Sequence, residues 1–328
     1  MKVKFFTDDV LSQISEENKQ KYEKYYMSCT IRCRDVKETT YKSYKNSFYH
    51  FMAFLAIYHG NAGLYSDEYF ENAVDIMESY IAFCQNTLLN HKKVINNKIS
   101  AVSSFYIWSL KRGLVKSHPF DKKLERMKGA NEEHVLNNYF LTPEQTQQIV
   151  RELNSNDRYD IQDQIIFSLM YDSANRIGAI DKLTLSSLDI EGMVFNGIRE
   201  KRGYIVEVIF MSKTKELIEK WLEMRKEIDN LTVDSLFITK RLGKYFHMSK
   251  SAVQSRINKI GEIIGLTDFH AHCIRKSRLS AIYDNTGDLV LAAELANHKN
   301  TETTRAFYLR PKSKTELRDR LVKIAENI

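Results

Sequence analysis

The stretch from residue 270 to residue 308 reads HAHCIRKSRLSAIYDNTGDLVLAAELANHKNTETTRAFY. It holds His272 and Arg275 three residues apart, then His298, and then Tyr308 ten residues after that histidine. If short helices connect these positions, two imidazoles, a guanidinium and a phenol converge. A guanidinium binds phosphate oxygens in pairs and stays charged at any cellular pH, and a phenol can serve as an oxygen nucleophile. The stretch therefore predicts a phosphoryl-transfer site with a tyrosine nucleophile.

The composition sets the class of protein. The chain has 328 residues, of which 43% are hydrophobic and 28% charged, which is typical of a soluble protein with room for two domains. It contains no apolar run of about 18 residues, so we expect no membrane span. The net charge of +7 is compatible with a nucleic-acid partner and also with many proteins that bind none.

The four cysteines are too few for a disulfide framework in a chain of this length. Cys29 and Cys33 could lie one helical turn apart, but no second ligand pair follows, so reduced thiols are the simpler interpretation than zinc. We therefore expect no metal and no cofactor.

Glycine and proline are scarce, with 12 and 3 residues, which favours a mainly α fold with small antiparallel β elements. We interpret residues 1–29 as a polar N-terminal arm, residues 30–120 as a helical domain, residues 121–138 as a linker and residues 139–328 as a second, mixed α+β domain. In the helical domain, apolar residues recur every three or four positions, as in Tyr41, Tyr44, Phe48 and Phe51.

Basic and amide side chains lie opposite the predicted apolar faces of the helical domain. They either form a solvated helix face or contact DNA phosphates and base edges. The candidates for DNA contact are Lys42, Lys45, Lys92, Lys93, Asn96, Asn97, Lys98, Ser100, Lys111 and Arg112.

The second domain begins with helix signals: Thr142 as N-cap, Pro143 at the first position and Gln145 three residues after the cap. An apolar helix over residues 160–175 precedes Arg176. Two strand-like segments then flank the sequence EKRG, which predicts a hairpin with Lys201 and Arg202 near its tip. The C-terminal segment has one apolar face, which either packs on its own domain or docks on another subunit.

These positions can be combined into one site. Arg176 supplies a second guanidinium for the phosphate, and Lys201 could donate a proton to a leaving oxygen. His272 and His298 could bind the phosphate or move protons near neutral pH. Cationic side chains can neutralise the developing charge, so no metal is required.

The order and spacing of these residues resemble the tyrosine recombinases, or phage-type integrases, over nearly the whole chain. The resemblance implies a helical SAM-like core-binding domain over residues 30–120 and a recombinase catalytic domain over residues 139–328. It implies that Tyr308 attacks double-stranded DNA to form a 3′-phosphotyrosyl link, while Lys201 protonates the leaving 5′ oxygen. The phosphate ligands would be Arg176, His272, Arg275 and His298. It also implies a tetramer on DNA, and a cytoplasmic, nucleoid-associated protein of bacterial or phage origin.

The chain departs from the family's pattern in three places. Ala179 stands where an acidic residue is usual, Asn297 stands where a glycine precedes the last histidine, and Tyr308 lies one residue further from His298 than is most common. The departures at Ala179 and Asn297 keep open a second hypothesis of a different class. It is a catalytically inactive, sequence-specific DNA-binding regulator on the recombinase fold, such as a phage-type repressor, that binds as a dimer or monomer.

Overall fold

The computed structural model describes residues 5–31, 38–129, 139–200, 204–229, 231–298, 300–310 and 314–325. The chain divides into two compact units, Met1–Asn137 and Asn138–Ile328. Each unit has its own hydrophobic core. Most of the described residues are helical and the sheets are small and antiparallel, so the predicted fold class is confirmed.

The first unit is helical. Its helices are α1 (Asp8–Ser12), α2 (Glu16–Ile31), α3 (Glu38–Tyr58), α4 (Asp67–Ala82), which continues as a π turn (Phe83–Thr87), and α5 (Lys92–Lys111). The core between α2, α3 and α5 is aromatic: the Tyr22 ring stacks on the Phe48 ring at 4.3 Å, and Phe105 lies 4.9 Å from Phe48. This confirms the three- and four-residue apolar spacing as the inward face of α3.

The first 29 residues differ from the predicted polar arm. Ile14, Tyr22 and Tyr25 are at most 2% exposed and belong to the core of the first unit. Asn18 is fully buried, donates to the carbonyl of Ala62 at 3.0 Å and accepts from the Leu64 N–H at 3.0 Å. The polar sequence concealed these contacts because, of the four positions named, only Ile14 is aliphatic and the others are tyrosines and an asparagine.

The second unit begins at the predicted cap. Thr142 and Gln145 form a reciprocal capping box, with side chain to backbone distances of 3.2 and 3.0 Å, and Pro143 is the first helical residue. The helices are α6 (Pro143–Ser155), α7 (Ile161–Ser173), α8 (Ile177–Ile180), α9 (Ser212–Lys226), α10 (Lys250–Gly261), α11 (Ala271–Thr286), α12 (Leu289–Leu295), α13 (Thr301–Tyr308) and α14 (Lys314–Ala325).

The predicted hairpin forms two strands of a three-stranded sheet. The strands are β1 (Leu188–Asp189), β2 (Val194–Arg199) and β3 (Ile205–Ile209), in the order β1-β2-β3, and β2 pairs antiparallel with β3. Residues 201–203, including the candidates Lys201 and Arg202, lie outside the described residues.

A second, two-stranded sheet was not predicted. It consists of β4 (Ile238–Arg241) and β5 (Lys244–His247), with Arg241 directly opposite Lys244. Leu242 and Gly243 form the turn, and both have positive φ, as a tight hairpin turn with the twist of its strands requires.

Helix α7 determines where the candidate site begins. Its central residues are buried on every side, with Ile165, Ile166, Phe167, Leu169 and Met170 at most 1% exposed. The helix ends at Ala174, which adopts a left-handed conformation with φ of 48°. The chain therefore turns sharply away from the helix axis, and Arg176 follows as the cap of α8.

Candidate active site

Arg275 lies on α11 at the centre of the second unit and is 1% exposed. Its Nη1 donates to the carbonyl of Ala174 and its Nη2 to the carbonyl of Ala296, the second at 2.6 Å. Burial lowers the pKa of Arg275 to about 10, and the nearby Arg176 acts in the same direction, while Tyr308 and Glu200 oppose it. Arg275 is therefore a buried cation at neutral pH, held in place by main-chain oxygens.

Tyr308 is the last residue of α13 and is 7% exposed. Its hydroxyl oxygen lies 3.3 Å from His272 Nε2, and the guanidinium carbon of Arg275 lies 5.1 Å from the centre of its ring. The ring of His298 is 4.6 Å away. The four groups in the stretch from residue 270 to residue 308 thus converge as the sequence predicted.

His298 contacts Arg275 directly. Its Nε2 lies 3.0 Å from Arg275 Nη2, and its Nδ1 lies 2.8 Å from the hydroxyl of Thr304. Because a guanidinium can only donate, Nε2 must accept, which assigns the proton of the neutral ring to Nδ1. Arg275 therefore sets the tautomer, and Thr304 helps to fix the orientation of the ring.

Both histidines are neutral at neutral pH. Burial lowers the pKa of His298 to about 4, and the positive charge of Arg275 acts in the same direction. Burial also lowers the pKa of His272 to about 4, and the positive charge of Arg275 acts in the same direction, although the residue is exposed on the wall of the cavity described next. Each imidazole can accept a proton only if a nearby negative charge first raises its pKa.

Arg176 faces the same cavity from α8. The cavity has a volume of about 580 Å³, and its wall includes Arg176, Glu200, His272 and Arg275. Arg176 Nη1 donates to Glu200 Oε2 at 2.8 Å, and the arginine side chain is 38% exposed. The two arginines and one histidine thus line a space that is open to solvent and large enough for a phosphate group.

The two substituted positions of the motif have clear structural consequences. Ala179 is fully buried in the core of the second unit and offers no polar group to the cavity. Asn297 has a φ of 52°, in the left-handed region that glycine favours, and asparagine tolerates this conformation better than most residues. Its Nδ2 donates to Asn175 Oδ1 at 3.2 Å, which ties the turn before His298 to the end of α7.

Sequence reasoning missed Glu200 and Thr304. Glu200 immediately precedes Lys201, and Thr304 lies in the sequence TETTRAFY, so both stood inside quoted motifs. Nothing in a single sequence shows that Glu200 is only 7% exposed, or that Thr304 meets His298 across a turn.

The candidate DNA-contacting residues of the first unit separate into three groups. Lys98 is 8% exposed, its Nζ lies 3.8 Å from Cys84 Sγ, and burial lowers its pKa, so it does not face solvent. Asn96 and Ser100 accept hydrogen bonds from the Met127 N–H and the Arg126 guanidinium, which lie in the segment after α5. The others are exposed or half-buried: Lys42, Lys45, Lys92, Lys93, Asn97, Lys111 and Arg112.

Two of these exposed or half-buried cations have partners within the unit. Lys45 pairs with Glu23 at 2.6 Å, and Arg112 donates to the Ser28 hydroxyl at 2.9 Å. The part of the chain that the structure describes holds no cluster of three or more metal-ligating side chains, and none of its helices is long and apolar enough to span a membrane.

Comparison with known proteins identifies relatives of the second unit and of the whole chain. Residues 139–314 match the phage integrase family. The tyrosine recombinase XerC of Lactobacillus delbrueckii subsp. bulgaricus is 27% identical over 219 residues, which cover 65% of this chain and 70% of that protein. XerC of Staphylococcus carnosus is 25% identical over 274 residues, 83% of this chain and 86% of the relative.

Solved structures resemble the fold over almost the full length. The Tn1549 transposon integrase in complex with a circular intermediate DNA matches with a TM-score of 0.64 and 14% identity, covering 94% of this chain and 100% of that one. A lambda integrase dimer bound to a core site matches with a TM-score of 0.63 and 15% identity, covering 95% of this chain and 84% of that one. At this level of identity the likeness shows the fold alone.

Proposed function

Because the chain belongs to the phage integrase family of tyrosine recombinases, we propose that it is a site-specific DNA recombinase acting through a 3′-phosphotyrosyl intermediate. Its substrate is double-stranded DNA, and four subunits act together on two duplexes. This substrate implies a cytoplasmic, nucleoid-associated protein. Integrases of similar fold that were solved bound to DNA support the choice of substrate.

In the proposed reaction, Tyr308 Oη forms a bond to the scissile phosphorus while the bond from phosphorus to the 5′ oxygen breaks. Arg176 and Arg275 neutralise the non-bridging oxygens, whose charge develops in the transition state. The phenolic proton passes to His272 Nε2, which lies 3.3 Å from the hydroxyl. The charge of the bound phosphate opposes the effect of burial on the His272 pKa and so makes the ring a better acceptor.

The leaving 5′ oxygen takes its proton from Lys201, the residue that the family resemblance assigns to this step. Attack by a 5′ hydroxyl from a partner strand then reverses the sequence and releases Tyr308. No cofactor takes part, because the phosphotyrosyl bond conserves the energy of the broken strand. His298, whose Nδ1 is held by Thr304, becomes a ligand of the phosphate beside Arg275 when the phosphate charge raises its pKa and Nε2 gains a proton to donate.

One observation carries this proposal: the Tyr308 hydroxyl, His272 and Arg275 meet in one site. The exposed apolar face of α14 supports assembly on DNA. Leu317 and Leu321 on that helix are 48% and 66% exposed, and a neighbouring subunit would bury them.

The second candidate is a DNA-binding regulator without strand cleavage, active as a dimer or monomer. The full burial of Ala179 favours it, because α8 brings no carboxylate to Arg176. Both candidates bind DNA through phosphate contacts, and both predict an affinity that falls steeply as salt rises. Salt dependence therefore tests DNA binding and not catalysis.

A covalent trapping experiment separates the two candidates. The binding site is first selected from random duplexes with the full chain, and that duplex is then nicked beside the cleavage position so that religation is impossible. An adduct on a denaturing gel that disappears in Tyr308→Phe supports the recombinase. Tight, salt-sensitive binding at the selected site with no adduct contradicts the recombinase and favours the regulator.

A further inference from the structure

Glu200 is a buried acid on the wall of the cavity that Arg176 and Arg275 also line; Asp181 is a second acid on that wall. Glu200 is 7% exposed and follows the last residue of β2. Its backbone N–H donates to the carbonyl of Tyr204 at 2.7 Å, which continues the pairing of β2 with β3 one step beyond the strands. One carboxylate oxygen accepts from Arg176 at 2.8 Å. The other, Oε1, is buried without a hydrogen-bond partner among the described residues.

The pair between Glu200 and Arg176 differs from the ion pairs on the surface of the molecule. Exposed pairs contribute little, because water screens both charges and the side chains lose freedom. A carboxylate that is more than nine-tenths buried depends on its partner, since an unpaired buried charge is strongly unfavourable. Glu200 therefore restrains Arg176 much more firmly than an exposed acid would.

Arg176 can still bind an anion while Glu200 holds it. The carboxylate contacts only Nη1, and the other guanidinium nitrogens make no hydrogen bond to any residue that the structure describes. The arginine side chain is 38% exposed toward the cavity. One edge of the guanidinium is therefore fixed by Glu200, and the remaining donors face the space where a phosphate would enter.

The helix that carries Arg176 cannot supply this support itself. Ala179, one turn further along α8, is 0% exposed, and its methyl group packs in the core. The carboxylate reaches the arginine from the β2–β3 hairpin instead. As a result, the orientation of Arg176 depends on Glu200 at the end of β2.

We propose that Glu200 is a positioning residue for Arg176, supplying from the end of β2 the carboxylate that α8 lacks and coupling the arginine to the residue that precedes Lys201 in the sequence. This inference rests on the proposed recombinase function. Glu200 does not touch the reacting atoms. It acts by fixing the direction in which the Arg176 guanidinium meets the phosphate.

A different role for Glu200 would be to occupy the phosphate position as an internal competitor. A carboxylate in that role would bridge both arginines. Arg275 instead donates to Ala174, Ala296 and His298, and no hydrogen bond joins it to Glu200 in the described structure. The contact to one arginine alone favours positioning.

The experiment compares Glu200→Ala and Glu200→Gln with the wild type at saturating duplex, by the rate of covalent adduct formation in one turnover. A shift of about 1 Å in a catalytic group can cost about 100-fold. We therefore expect the rate to fall about 10- to 100-fold with a smaller but measurable loss of DNA affinity, and Glu200→Asp to recover part of both. Glu191→Gln is the matched control, because Glu191 is 83% exposed and pairs with Lys215 outside the cavity.

The decisive measurement repeats Glu200→Ala in a protein that already carries Arg176→Ala. If Glu200 acts through Arg176, then Glu200→Ala should slow the Arg176→Ala variant no further. Equal losses in both backgrounds would overturn the proposal, as would an unchanged rate in Glu200→Ala. A faster adduct or tighter binding in Glu200→Ala would also overturn it and identify Glu200 as a competitor of the phosphate. Thermal unfolding of every variant separates these outcomes from a failure to fold.

The same set of variants keeps this inference distinct from the proposed function. If the wild type forms no adduct, the recombinase proposal fails, and the double-mutant cycle is then read from the affinity for the nicked duplex. A Glu200→Ala effect on affinity that vanishes with Arg176→Ala would still support positioning. Additive effects on affinity, or no effect, would overturn it.

Discussion

The two arginines that face the cavity are held in different ways. Arg275 is 1% exposed, and the carbonyls of Ala174 and Ala296 accept its hydrogen bonds. Arg176 is 38% exposed, and the side chain of Glu200 is its partner. One guanidinium is thus fixed by the main chain of the core, and the other by a single side chain at the end of a hairpin.

This difference indicates how a phosphate site can be partly rigid and partly adjustable. The Arg275 side needs no further residue to be in place, because the carbonyls belong to the end of α7 and the turn after α12. The Arg176 side depends on the position of the β2–β3 turn. Preorganised donors such as Arg275 lower the cost of reorganisation during reaction, whereas the direction of Arg176 depends on one side chain from another element.

The largest expected difference between the two sides is in stability. Arg275→Ala leaves two buried carbonyls without donors, at about 1 to 3 kcal/mol each, so the free energy of unfolding should fall by about 2 to 6 kcal/mol. Arg176→Ala should cost less, because Arg176 is 38% exposed and water that enters the space it vacates offsets part of the cost of the unpaired Glu200 carboxylate. Urea unfolding of the two variants, followed by circular dichroism, measures the difference. Equal losses would remove the distinction between the two sides.

A second variant measures how much of the stability lost in Arg176→Ala comes from the unpaired charge of Glu200. In Arg176→Ala, the Glu200 carboxylate loses the only hydrogen-bond donor described for its side chain. Adding Glu200→Gln removes the uncompensated charge, and should restore part of the lost stability. A double variant less stable than Arg176→Ala would show that the carboxylate is supported by something other than Arg176.

The next effect is a dependence of stability on pH. The pKa values of His272 and His298 are lowered to about 4, whereas a histidine in an unfolded chain has a pKa of about 6.5. Between these values the unfolded chain binds protons that the folded chain does not. The free energy of unfolding should therefore fall as pH drops from about 6.5 toward 4 and should not depend on these groups above that range.

The two histidines should contribute unequally to this dependence of stability on pH. A proton on His298 Nε2 would face the N–H of Arg275 Nη2, which lies 3.0 Å away, whereas His272 is partly open to the cavity. We expect His298→Gln to remove more of the pH dependence than His272→Gln. Urea midpoints at pH 7, 6, 5 and 4, compared with those of the wild type, give the two contributions. A larger change in His272→Gln would contradict the view that the Arg275 side is the rigid one.

The sequence predicted the convergence of His272, Arg275, His298 and Tyr308, because their spacing suits short helices joined by turns. It also predicted the start of α6 from Thr142 and Pro143, where local capping chemistry decides the structure. The second sheet escaped notice because ITKRLGKYFH places Arg241 opposite Lys244 and lacks a clear alternation of apolar and polar residues.

The remaining errors concern burial rather than local structure. Lys98 was a candidate for DNA contact because lysine is usually exposed, yet it lies on the inward face of α5 beside Ile95 and Ile99. Glu200 resembled an ordinary turn residue. In both cases the environment depends on parts of the chain that are distant in sequence, and one sequence carries no record of them.

The smallest effect concerns Asn297, which follows the carbonyl of Ala296 that binds Arg275. Its φ of 52° suits glycine, so Asn297→Gly should change the free energy of unfolding by less than about 1 kcal/mol, losing one hydrogen bond and gaining an unstrained backbone. Asn297→Ala keeps the strain and loses the hydrogen bond to Asn175, so it should cost about 1 to 2 kcal/mol more than glycine. Urea unfolding of the two variants measures this order. If alanine were as stable as glycine, the left-handed turn would not be what holds the Ala296 carbonyl toward Arg275, and the Arg275 side would be less rigid than its contacts indicate.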